Sequence, residues 1–107
     1  MQDVEIGRGT RSGIKTESVA ATSGRLVSAS PDRILLVFCP PPSGEITISI
    51  ASNVVVREGI VIRSTDTAVI FTIQHHGDLC QREWHAIHSV GAVNVSVIEG
   101  FLTYPPK

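Results

Sequence analysis

Glu45-Ile46-Thr47-Ile48-Ser49-Ile50-Ala51 sets an isoleucine at every second position, with Thr47 and Ser49 between them. Successive side chains of a strand point to opposite faces, so this stretch reads as a half-buried strand with its isoleucines inward. Just upstream, Pro40-Pro41-Pro42-Ser43-Gly44 removes three amide donors in a row and stops the run before it. That run, residues 33–39, is apolar on both faces and reads as a central strand. A shorter strand over 25–28 precedes it, closed by the Ser30-Pro31-Asp32 break.

Downstream, residues 54–57 and 59–63 read as short strands parted by Glu58-Gly59, and residues 64–67 as a turn before a strand over 68–73. Gln74-His75-His76-Gly77-Asp78 breaks the pattern, with Gly77 free to take a positive φ. A strand over 79–88 follows, with room for one helical turn at its start, and residues 92–102 place Val93, Val95 and Val97 inward. Val, Ile and Thr number 33, against 24 for Ala, Leu, Met, Glu, Lys and Gln together, a balance that favours strands. The expectation is an all-β fold: a small antiparallel sandwich or barrel of seven to eight short strands.

With 107 residues the chain holds one core, and 42% hydrophobic against 18% charged residues is too apolar for disorder. Nine basic and ten acidic residues give a net charge of -1, which supplies no cationic field for nucleic acid. The longest apolar runs, such as residues 34–39, fall far short of the roughly 20 residues a membrane helix needs. Residues 1–20 mix charges with glycines around no apolar block, so no secretory signal is read and synthesis in a cytosol is expected. Cys39 and Cys80 should then be reduced thiols, although strand pairing leaves a bond between them open.

Residues 1–23 carry seven apolar side chains among glycines, serines and threonines, with three basic charges against three acidic. Two readings stand: a floppy terminus, or an extended arm that orders on a neighbouring subunit. The domain division expected is therefore an arm over 1–23, a β-domain over 24–104 and a short tail over 105–107.

Four histidines, His75, His76, His85 and His88, lie close in sequence and invite a test for a metal site. Neighbours on a strand, and residues three apart, point to opposite faces, so neither His75/His76 nor His85/His88 chelates from a regular strand. A cysteine nucleophile needs a base beside it, and Cys80 has His76, His85 and Asp78 near in sequence, whereas Cys39 closes an apolar strand. No nucleophile elbow, phosphate loop or carboxylate pair in an aromatic cleft is present. The reading is no catalytic residue, no metal ligand and no cofactor. Phe38, Phe71, Trp84, Phe101 and Tyr104 are too few for both a core and a stacking platform, and Trp84 reads as core. Arg57 and Arg63 read as edge charges, or as groups that meet a partner's carboxylates in pairs.

Pro31-Asp32-Arg33-Ile34-Leu35, Gly59-Ile60-Val61-Ile62, His76-Gly77-Asp78-Leu79, Ala86-Ile87 and Val97-Ile98-Glu99 stand in a set order over residues 30–100. In that order the chain resembles small β-rich virion proteins of tailed bacteriophages. The resemblance implies a non-enzymatic capsid decoration or cement protein on the outer surface of the head, partnered by the major capsid protein and by copies of itself, for instance as a trimer. It implies location in the virion after synthesis in the host cytoplasm. Paired His75-His76 and the triple proline depart from the pattern. Two other readings stay open: a tail-associated or receptor-binding β-module, and a small metal-dependent enzyme whose histidines converge.

Overall fold

A computed structural model describes residues 9–103, with side chains over 13–102. Eight strands run along the described chain: β1 (Gly9–Val19), β2 (Gly24–Val27), β3 (Arg33–Phe38), β4 (Glu45–Ser49), β5 (Ile60–Arg63), β6 (Val69–Thr72), β7 (Trp84–His88) and β8 (Val93–Thr103). A single helical turn, α1 (Ile73–His76), and a 3-10 turn, Gly77–Gln81, join β6 to β7. The strands form two antiparallel four-stranded sheets, ordered β1-β8-β3-β6 and β2-β7-β4-β5. The all-β expectation holds, and its sandwich form is the one adopted.

The order has a simple rule. The first strand pairs with the eighth, the second with the seventh, the third with the sixth and the fourth with the fifth. The chain thus behaves as one long hairpin rolled over on itself, the jelly-roll arrangement. Contacts of β3 with β8 and of β4 with β7 close each sheet. Between the sheets lie Leu36 and Phe38 from β3, Ile46 and Ile48 from β4, and Val95 and Val97 from β8, all buried. Trp84 packs on Phe38 and Phe71 with ring centroids 5.4 and 4.9 Å apart, and its indole N–H donates to the Leu79 carbonyl at 3.0 Å. It is a core residue, as its type and place suggested.

Three expectations need correction. The boundary after residue 23 does not divide the structure, because β1 pairs along its whole length with β8, from Gly9↔Thr103 to Val19↔Val93, and Val19 is buried in the core. That strand draws its stability from a partner ladder on its own chain, not from its own apolar content. Residues 1–8 of the expected arm and the 105–107 tail lie outside the described residues. Residues 54–57 form no strand: the Glu58 N–H closes a turn on the Val55 carbonyl at 2.9 Å, with Arg57 at φ 67°. Ile50 falls beyond the end of β4 and is exposed, whereas Thr47 is buried.

These last two points share a cause. The loop over residues 50–59 folds back across the outer face of the second sheet. The Arg57 N–H donates to Thr47 Oγ1 at 2.9 Å, the Val54 N–H donates to Ser23 Oγ at 2.9 Å, and Ser23 Oγ donates to the Ser52 carbonyl at 3.0 Å. That face is therefore covered by the chain itself. No described segment makes a corresponding fold across the outer face of the first sheet, where the register aligns Ile14, Ile98, Val37 and Ile70 in one row across all four strands.

Candidate functional site

Arg33 opens β3 next to a register shift opposite β8, which turns its side chain into the end of the sandwich rather than to solvent. It is only 1% exposed. Its Nε donates to the Cys80 carbonyl at 2.7 Å, and one terminal nitrogen donates to the Ser28 carbonyl at 2.9 Å and to a Glu99 carboxylate oxygen at 2.8 Å. The other terminal nitrogen donates to the Arg82 carbonyl at 2.6 Å. A planar guanidinium with five donors in a fixed fork is the side chain able to serve so many acceptors at once. Lys15 Nζ stands 3.7 Å from the other Glu99 oxygen, so the carboxylate lies between two cations.

Around this centre the connecting loops are fastened to one another. Gln81 donates through Nε2 to the Pro31 carbonyl at 2.7 Å, the Ser30 N–H donates to the Gln81 carbonyl at 2.9 Å, and the Leu102 N–H donates to the Asp32 carbonyl at 2.8 Å. Arg82 pairs with Asp78 at 3.1 Å. An open depression of about 480 Å³ lies beside them, lined by Ser30, Pro31, Ile50, Asp78, Arg82 and Glu83 among others. Its lining cation, Arg82, is paired with Asp78, and its second acid, Glu83, faces His85 and Arg25.

The four histidines go to three separate places. His75 and His76 sit on α1 with rings 6.2 Å apart, and His76 packs edge-on against Phe71 while its Nδ1 accepts the Thr72 N–H at 3.0 Å. His85 lies 2.7 Å from Glu83. His88 is buried at the far end of the second sheet, Nδ1 facing the Val90 carbonyl at 2.7 Å and Nε2 facing the Ser43 carbonyl at 2.9 Å. Among the described residues no three His, Cys, Asp or Glu side chains come together as metal ligands would.

Neither thiol meets a histidine in a bond. Cys80 is buried, its Sγ donates to the Arg33 carbonyl at 3.6 Å, and burial pushes its pKa up against the smaller pull of the Arg33 charge. A thiol held protonated is a poor nucleophile. Cys39, half-buried, lies just past the other end of β3 from Arg33, roughly 20 Å along the strand. A disulfide needs Cα atoms within about 7 Å, so the two do not bond within one chain.

Arg57 does make the paired contact with a carboxylate, but inside its own chain. Its Nε and a terminal nitrogen reach the two oxygens of Glu45 at 2.9 and 3.3 Å, and Arg63 approaches the same carboxylate at 3.9 Å. The Arg57 bond holds Glu45 below its ordinary value of 4.5, helped by both positive charges.

No family model matches this chain, and no curated protein matches it. A solved structure from Bacillus endospore appendages, a novel family of disulfide-linked pili, superposes with a TM-score of 0.59 at 10% identity, covering 99% of this chain and 96% of that one. The likeness shows the fold.

What sequence reasoning missed is the convergence at Arg33. The segments singled out for their order, Pro31-Asp32-Arg33, His76-Gly77-Asp78-Leu79 and Val97-Ile98-Glu99, contribute the guanidinium, a neighbouring turn and the carboxylate of one fastening. A lone arginine opening an otherwise apolar strand was the available signal, since such a residue must be exposed or heavily partnered. Chemically the cluster is a fastening: four of the five guanidinium donors reach acceptors within the chain.

Proposed function

We propose that the chain is a non-enzymatic structural subunit that works by assembling with copies of itself on a larger particle. Its first form to test is a decoration or cement protein on the outer surface of a phage head, with the major capsid protein as its other partner. One observation carries this reading. Arg33, Cys80 and the four histidines bond within the chain, while the first sheet turns three isoleucines and a valine outward. The two-sheet jelly roll is a construction that recurs in capsid proteins, which agrees with the resemblance in residues 30–100.

A second reading is a fibre-forming subunit, favoured by the likeness to a protein of disulfide-linked pili. Purified protein, measured by solution mass and negative-stain imaging alone and after mixing with undecorated heads, separates the two. Discrete oligomers, the trimer among them, that sediment with heads and raise their resistance to heat support the decoration reading. Filaments from the protein alone support the second. A strict monomer that neither binds heads nor polymerises overturns both.

A further inference from the structure

We infer that the outer face of the first sheet is a contact between two copies of this chain, an inference that rests on the structural-subunit reading above. The register places Ile14 opposite Ile98, Ile98 opposite Val37, and Val37 opposite Ile70, so four directly facing side chains share one face. Ile14 is 74% exposed and Ile70 53%, the two ends of the row standing on the two edge strands. Cross-strand neighbours at this spacing make a continuous apolar surface.

Charge decides what covers it. The alternate positions that share this face over 14–18 of β1, 94–102 of β8, 35–37 of β3 and 70–72 of β6 hold no ionisable residue. The charged residues of β1 and β8 whose side chains are described, Lys15, Glu17 and Glu99, fall on the opposite side. An acidic or basic partner would bury its own charges here without a counter-charge, at a cost of several kcal/mol each. A second copy brings a face equally free of ionisable strand positions, with His75 standing at its rim on the Thr72 hydroxyl. A two-fold axis in the plane of contact lays the row onto its copy, which is the self-matching geometry of an isologous dimer.

The size of the face sets the expected strength. Eleven paired positions along β1 and β8 extend about 36 Å, and the shorter β3 and β6 widen the sheet to about 19 Å over part of that length. The flat area is roughly 500 Å² per copy, or about 1,000 Å² in all, at the lower bound for a specific interface. An isolated pair should therefore dissociate in the micromolar range or above, and become firm only where a particle holds many copies side by side.

The test uses the full chain in sedimentation velocity from micromolar to millimolar concentration. Wild type should dimerise reversibly, and Ile14→Glu or Ile70→Glu should each weaken association by roughly 100-fold, since each buries an unpaired charge. Both residues are exposed in one copy, so circular dichroism and melting temperature should stay near wild type. Val90→Glu is the control, because Val90 is 78% exposed in the β7–β8 turn, away from this face, and should change nothing. Self-association that survives both isoleucine substitutions overturns this inference and leaves the subunit reading standing. Loss of head binding without loss of self-association would put a different protein on the face and also overturn it. A monomer at millimolar concentration that still binds heads refutes the face contact alone, and one that binds nothing refutes the function as well.

Discussion

Replacing Arg33 by Met keeps much of the volume of the side chain and removes its charge and all its donors. Four bonds of 2.6 to 2.9 Å are lost, three to the carbonyls of Ser28, Cys80 and Arg82 and one to Glu99. At about 1.5 kcal/mol for each bond from a charged donor, the gross loss is about 6 kcal/mol. Against it stand the dehydration that a buried guanidinium no longer suffers and the apolar burial of Met, together about 2 to 3 kcal/mol. The expected net destabilisation is about 3 to 4 kcal/mol, much of it from acceptors stranded at the end of the sandwich. Because a domain of this kind is stable by about 5 to 15 kcal/mol, the variant should still fold. In urea, with a slope of about 1 to 1.5 kcal/mol/M for this length, its midpoint should fall by about 2 to 4 M. Arg33→Met combined with Glu99→Leu should recover about 1 to 2 kcal/mol, since the carboxylate is then not left behind with Lys15 alone. A single variant within about 1 kcal/mol of wild type would show that water replaces the guanidinium at no cost and would refute the fastening.

Other consequences concern charge, thiols and close approach. Glu45 is held below its ordinary value of 4.5, so its contribution is present above that pH and lost as pH falls through and below it. The melting temperatures of wild type and Glu45→Gln should therefore differ most near neutrality and converge in acid; a constant gap would refute the Arg57 pairing as its source. Native protein treated with iodoacetamide should label at Cys39 ahead of Cys80, whose buried, raised-pKa thiol should react only on unfolding, as peptide mass spectrometry would report. Gly44→Ala would force φ +69° on alanine and bring its Cβ to 2.7 Å from His88 Nε2, for a loss of about 1 to 3 kcal/mol by thermal melting. Gly13→Ala meets nothing within 4 Å and is the matched control, expected within about 0.5 kcal/mol of wild type.

Strands whose pattern repeats on their own were legible in the sequence. Ile46 and Ile48, and Val95 and Val97, are buried on one side of β4 and β8 as their alternation requires. Strand β1 was not legible, because its pattern is inverted: Lys15 and Glu17 share the side of Val97 and Val95, whereas Ile14 points out. That inversion is tolerable at a sheet edge, where the long Lys15 side chain reaches past the core to Glu99 and pairs with Glu17, and it makes the segment read as a solvated terminus. Val54-Val55-Val56 failed for the opposite reason. Its β-branched run favours a strand, but bonds from Val54 to Ser23 and from Arg57 to Thr47 hold it as a covering loop, and a tertiary contact outweighs local propensity. Arg33 stayed unread as a centre because its acceptors come from residues 28, 80, 82 and 99, which only the rolled topology brings together.

That last point bears on what the ordered motifs mean. Each quoted segment near Arg33 has a bonding job at one end of the sandwich: Asp32 ties β8, Leu79 caps the Trp84 indole, Glu99 meets the guanidinium. Requirements of this kind follow from closing a rolled hairpin with short loops, so a chain of unrelated function built on the same roll could meet them with the same residues. The motifs therefore speak to how the domain closes, and function must be sought where closure makes no demand. The row Ile14, Ile98, Val37 and Ile70 is such a place. Folding gains little from isoleucines left 74% and 53% exposed on edge strands, where threonine or lysine would serve the ladder as well and discourage sticking. Their presence opposes the isolated monomer, which is the pattern expected when burial is completed by a neighbour.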